Sequence, residues 1–159
     1  MPSSHTGFLL SLSLLIMVSI SGLPASAVAQ VDIVQWQFSS VRRTDYAAVF
    51  EASATIMPGW HLYSQYLAGG GPMATKVNFL PHESFSLSNG TNEYGNKVRF
   101  HDKLLTQEII RYSGSVRFEQ VVVPHSYPLS IGGTIEYMIC DDLTCIPSKK
   151  YFMVTLQQP

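Results

Sequence analysis

The chain has 159 residues, 46% hydrophobic and 13% charged, with a formal net charge of −1 and two cysteines. That balance excludes a disordered chain, and a charge near zero provides no basic stripe for nucleic acid. Two cysteines are too few for a disulfide-scaffold miniprotein, an all-cysteine zinc site or an iron–sulfur cluster, so they are expected to act with each other.

Residues 1–29 contain no Asp, Glu, Lys or Arg. The stretch from Phe8 to Leu23 is mostly Leu, Ile, Val, Met and Ser, and Pro24 and small residues follow it. An apolar core followed by A-x-A-like sites reads as an export signal, cleaved after Ala27 or, preferably, after Ala29. The leading residues Met1–His5 are off-pattern, because only the terminal amine supplies positive charge. The alternative is an uncleaved anchor. The apolar run is shorter than the roughly 20 residues a spanning helix needs, and serines interrupt it. A signal peptide over 1–29 and one domain over 30–159 are therefore expected. The mature protein should be periplasmic or secreted, in a compartment that permits disulfides.

From residue 34 onward the pattern is that of strands. Val34, Trp36 and Phe38 alternate with Gln35, Gln37 and Ser39. Phe50, Ala52, Ala54 and Ile56 alternate with Glu51, Ser53 and Thr55. The same period appears at Val116 and Phe118, at Ile135, Tyr137 and Ile139, and at Phe152, Val154 and Leu156. A period of two sends one set of side chains to a core and the other outward. Weaker strands are predicted at Trp60–Tyr63, Thr75–Leu80, Val98–His101 and Leu105–Tyr112. Breaks are predicted at Pro58-Gly59, Gly69–Pro72, Asn89-Gly90, Ser113-Gly114 and Gly132-Gly133. No segment holds a 3.6-residue apolar period with caps. Many short strands predict an all-β, antiparallel, immunoglobulin-like sandwich, with a small barrel as the alternative.

Other conspicuous features read as structural. Gly69–Gly71 lacks the Gly-Lys-Ser/Thr of a phosphate loop. Asn89-Gly90-Thr91 is a glycosylation sequon, but Asn-Gly is first a turn signal. His61, His82, His101 and His125 show no metal-ligand spacing, and no G-x-S-x-G supports a serine nucleophile.

The chemistry concentrates in Ile139-Cys140-Asp141-Asp142-Leu143-Thr144-Cys145-Ile146-Pro147. Cys140 ends one predicted strand, and the return strand is predicted to begin near Lys150. Cys145 then lies in the loop between them, with Pro147 limiting its freedom. Four intervening residues allow a disulfide across the mouth of a hairpin. As a structural staple it would contribute only roughly 2 kcal/mol, against roughly 4.7 for a 100-residue loop. As an exchangeable bond at an exposed tip, another thiolate could reach it in line. Spacing leaves both readings open. Asp141 and Asp142 should disfavour thiolate formation on the reduced pair. No general base is evident.

This cysteine segment, from Gly133 to Pro147 and on through Lys150–Val154, resembles the N-terminal periplasmic domain of the thiol:disulfide interchange protein DsbD. Upstream, Gly59-Trp60-His61-Leu62-Tyr63 is similar to that family's Gly-aromatic-x-Leu-Tyr hairpin. Glu93-Tyr94-Gly95 is similar to the end of the loop that caps its active site. The resemblance runs over most of residues 31–157 and implies an immunoglobulin-like redox relay. Cys145 then corresponds to the cysteine that forms mixed disulfides with partners. Cys140 corresponds to the resolving cysteine, and Tyr63 to an aromatic beside the pair. His61 stands where the family has an aromatic Tyr, and Glu93 where its cap presents a Phe. The implied partners are thioredoxin-fold proteins as electron donor and acceptor, including those of cytochrome c maturation. A membrane-embedded reductase would be carried on a separate chain. Such exchange needs no metal or organic cofactor, and the near-zero charge leaves no nucleic-acid partner expected. A non-enzymatic binding or assembly module with a structural disulfide is the alternative.

Overall fold

A computed structural model describes residues 32–157, so the expected export segment lies outside the described residues. The described residues form eight strands and no helix. These are β1 (Val34–Thr44), β2 (Ala47–Ile56), β3 (His61–Tyr63), β4 (Lys76–Phe79), β5 (Phe85–Asp102), β6 (Gln107–Pro124), β7 (Leu129–Cys140) and β8 (Cys145–Leu156). All pairings are antiparallel.

Hydrogen bonds run in the order β1-β2-β6-β3-β7-β4, with β5 on β6 and β8 on β7. A strand has two edges, and β5 follows β6 along most of its length. On the other edge of β6, β2 takes Ser115–Val122 and β3 takes Arg111 and Tyr112. The same sharing occurs on β7, where β8 fills one edge while β3 and β4 divide the other. The short β3 thus carries the sheet from one layer, β1-β2-β6-β5, to the other, β4-β7-β8.

The layers close on the apolar sets that the alternation marks. Phe50, Ala52, Ala54 and Ile56 of β2 are buried, as are Ile135, Tyr137 and Ile139 of β7. Aromatic rings join the layers. Trp36 lies 5.3 Å from Tyr137, Phe38 5.4 Å from Phe152, and Phe50 4.5 Å from Phe152. The buried rings of Phe50 and Phe152 each contribute about 1.5–3 kcal/mol by leaving water, and tilted pairs add about 1 kcal/mol.

Three predicted breaks prove to lie inside strands. Asn89-Gly90 sits within β5, where Asn89 adopts a φ of 63° and the register shifts between Ser88 and Asn92. The extra residues are accommodated as a bulge rather than a turn. Ser113-Gly114 sits within β6, with Gly114 at a φ of 73° beside the second shift between Gly95 and Lys97. Gly132-Gly133 lies in the body of β7, paired with Met153 and Phe152. There the absence of a side chain admits the neighbouring strand rather than ending this one. The predicted strand at Val98–His101 is accordingly part of the longer β5, and that at Leu105–Tyr112 enters β6 from Gln107, with Leu105 and Thr106 in the turn before it.

Candidate functional site

Cys140 and Cys145 are directly opposed across the β7–β8 hairpin and joined by a disulfide, with Cα atoms 4.2 Å apart. The return strand begins at Cys145, five residues before the expected start near Lys150. Asp141 is the reason. Its Oδ1 accepts the backbone N–H groups of Leu143 at 2.8 Å and Thr144 at 2.6 Å. Its own N–H donates to the Thr144 carbonyl at 3.0 Å. These bonds close a tight four-residue turn and extend the ladder up to the cysteines. Pro147 follows on β8, which pairs with β7 alone among the described strands, so no ladder bond is lost there.

The backbone bonds to the Asp141 carboxylate hold its pKa below the ordinary 3.8. A carboxyl with a lowered folded pKa stabilises the fold above its unfolded value. That stabilisation disappears as the pH falls through the folded one. Asp141→Ala should therefore lower the melting temperature near neutrality, and the gap from the parent should close as the pH falls below 3.8. Thermal unfolding followed by circular dichroism reads both effects.

The two cysteines differ in access. Cys140 is 1% exposed, whereas Cys145 is exposed at the start of the edge strand. Cys140 forms a small second core with Tyr63 and Ile109, flanked by Leu67 and Met138. β3 and β7 place His61 opposite Cys140. His61 is buried, and its Nε2 lies 3.2 Å from the Tyr63 hydroxyl. The Arg111 guanidinium, opposite Tyr63 on β6, lies 3.4 Å from His61 Nε2 and 3.5 Å from Nδ1. Its far side rests on the Phe100 ring, 5.2 Å from the centroid.

Burial and the Arg111 charge push the His61 pKa below 6.5, while Asp142 and Asp141 pull it back up. The fold thus favours neutral imidazole, and protonating it as the pH drops below 6.5 works against folding. Burial also raises the Tyr63 phenol, keeping it a neutral hydrogen-bonding group.

His61, Tyr63, Asp141, Asp142 and Pro147 thus gather around the cysteine pair. Glu93 and Tyr94 do not form a capping loop. They lie within β5, opposite Phe118 and Arg117. The Glu93 carboxylate accepts from Ser64 Oγ at 2.5 Å, Gln65 N at 2.9 Å and Tyr112 Oη at 2.8 Å. Three donors converging on one carboxylate hold it in the ladder and pin the segment after β3. Tyr94 carries the Arg117 guanidinium 5.2 Å from its ring centroid. Ile109 beside Cys140, Arg111 against His61 and Phe100 against Arg111 extend the site, although no sequence signal marks them. Their proximity depends on β3 meeting β6, which local patterning does not encode.

A model of the family described as thiol:disulfide interchange protein DsbD, N-terminal, matches residues 26–157. The chain belongs to the DsbD N-terminal domain family. The immunoglobulin-like all-β fold is therefore the family's own. Among solved structures, the N-terminal periplasmic domain of ScsB from Proteus mirabilis aligns with a TM-score of 0.56 and 16% identity, over 77% of this chain and 46% of that one. The chain thus spans less than half of that structure's length. The GAE domain of yeast GGA1 aligns at a TM-score of 0.47 and 10% identity, over 81% of this chain and 96% of that chain. A collagen-binding domain of a Staphylococcus aureus adhesin gives 0.42 and 4%, over 80% of this chain and 99% of that chain. Neither of these two bears on the site. No curated protein matches the chain. Membership in the DsbD family connects the chain with thiol:disulfide interchange, and its described residues contain one cysteine pair.

Proposed function

We propose that this chain is an exported thiol–disulfide exchange domain that relays electrons through Cys140 and Cys145 between thioredoxin-fold partners. The observation that carries the reading is the unequal access of the two sulfurs. In the oxidised form a donor thiolate attacks exposed Cys145, the disulfide breaks, and Cys140 leaves as a thiolate that takes up a proton. The donor's second thiol then attacks the mixed disulfide and releases the domain as a dithiol. In the reduced form the Cys145 thiolate attacks an acceptor disulfide, and Cys140 closes the ring to release the reduced acceptor. Buried Cys140 is inaccessible to a bulky partner but close enough to serve as the resolving thiol. Family membership supports a periplasmic setting and a membrane-embedded reductase upstream of the donor. A binding module with a structural disulfide is the competing reading.

Reduced Cys140→Ser protein, incubated with an oxidised thioredoxin-fold protein, should accumulate a disulfide-linked heterodimer on non-reducing gels. Cys145→Ser should not. If neither variant cross-links, and the wild-type disulfide has a potential far below about −300 mV, the bond is structural. Residues 1–29 are proposed to direct export. The exported protein should accordingly begin at Gln30 by N-terminal sequencing, and retention of Met1 would contradict that.

A further inference from the structure

We propose that His61 is the base that takes the proton from Cys140 when that cysteine closes the ring. This inference rests on the exchange reading given above. Ring closure requires a buried thiol to become a nucleophile. An apolar surrounding of Tyr63, Ile109 and Met138 disfavours a free thiolate there. A neighbouring acceptor removes that difficulty, because the proton leaves as the sulfur attacks.

The β3–β7 ladder sets an imidazole across from that thiol. His61 and Cys140 are opposed in the β3–β7 ladder, both buried. Directly opposed residues have Cβ atoms about 5 Å apart on one face of a sheet. We assign the ring proton to Nε2, donating to the Tyr63 hydroxyl 3.2 Å away; Nδ1, which also lies 3.5 Å from the Arg111 guanidinium, is then the nitrogen that takes the Cys140 proton. Charged and titratable groups reach the ring from every element around it. Arg111 approaches from β6, Tyr63 is on β3 itself, and Asp141 and Asp142 act from the β7–β8 turn. Asp102, at the end of β5, acts on Tyr63. Arg111 and burial favour the neutral imidazole before the step, as a base requires. The two carboxylates stabilise the imidazolium formed during it.

The step balances without an added reactant. The Cys140 Sγ–Cys145 Sγ bond forms as the bond from Cys145 to the acceptor's sulfur breaks. Cys140 and Cys145 are oxidised together, and the acceptor leaves as a thiolate. The proton passes from Cys140 to His61 and then to the departing thiolate or to water.

Reduced protein mixed with oxidised glutathione, quenched in acid at short times and analysed by mass spectrometry, separates adduct formation on Cys145 from ring closure. In the wild type the closure rate should rise with pH to an inflection below 6.5 and then level off. In His61→Gln it should climb tenfold per pH unit without a plateau, and at pH 7 it should be slower by about 100-fold. Equal closure rates in the two proteins at pH 7 overturn the proposal. So does a wild-type profile that climbs from pH 5 to 8 without levelling, a result that needs no variant. A reduced wild type that forms no adduct on Cys145 instead removes the exchange reading, and the role of His61 with it.

Discussion

Gly133→Ala should unfold the domain or cost it about 3 kcal/mol or more in urea denaturation, whereas its neighbour Gly132→Ala should change stability by less than about 0.5 kcal/mol. Both glycines lie in the middle of β7, and the sequence gives no reason to treat them differently. A Cβ on Gly133 would stand 2.1 Å from the Asn78 carbonyl oxygen and 2.5 Å from Cζ of Phe152. Asn78 belongs to β4, laddered to β7 in register, so its carbonyl cannot retreat without breaking the pairing. Phe152 is held by Phe38, Phe50 and Phe79. Overpacking against such a wall displaces backbone and core together. At Gly132 the added carbon would meet only Cε and Sδ of Met153, at 3.0 and 3.3 Å, and Cδ1 of Leu80. Met153 is 68% exposed and flexible, so it can swing aside. Equal losses for the two variants would contradict this arrangement of β4 against β7.

Glu93→Ala should cost about 3 kcal/mol, with Glu93→Gln recovering part of it. The carboxylate serves three donors, two of them on Ser64 and Tyr112, which are 0% and 1% exposed. Removing it leaves both hydroxyl donors without an acceptor, although Ser64 Oγ still accepts from the Tyr66 N–H, and an unpaired buried donor costs more than its bond contributes. Glutamine retains one acceptor oxygen but turns an amide donor toward the others. The Tyr112 phenol, now raised strongly by burial and by its bond to Glu93, should titrate at lower pH in the alanine variant. Hydrogen exchange at Gln65 should accelerate as the pinned segment opens. If Glu93 instead shielded the cysteines, its substitution would speed the attack of glutathione on Cys145 and leave stability unchanged. Denaturation and thiol kinetics together distinguish the two outcomes.

The strand alternations are legible in the sequence because side-chain direction along a strand is a local property. Phe50 to Ile56 and Ile135 to Ile139 are buried on the faces that the period assigns them. Strand ends were less legible. Asn89-Gly90 and Ser113-Gly114 carry turn composition, yet the long ladder between β5 and β6 absorbs both as irregularities. Whether a glycine breaks a strand depends on what the neighbouring chain presents to it, as Gly133 shows. The resemblance sets Glu93 at the end of a cap; its neighbours are set instead by tertiary contacts, with donors from the segment after β3 and from β6 converging on it within β5.

By itself the sequence determined an all-β chain with two cysteines confined to one hairpin, because period, turn residues and short spacing act over a few positions. It also showed Asp141, the acidic residue that shapes that turn. Only the tertiary structure made the cysteines unequal. Burial of Cys140 requires β3 and β6 to supply Tyr63 and Ile109 from distant parts of the chain. The same convergence set His61 opposite Cys140 and Arg111 against His61. A ladder between strands far apart in sequence leaves no periodic trace in either of them, so these neighbours became visible only once the sheet had closed.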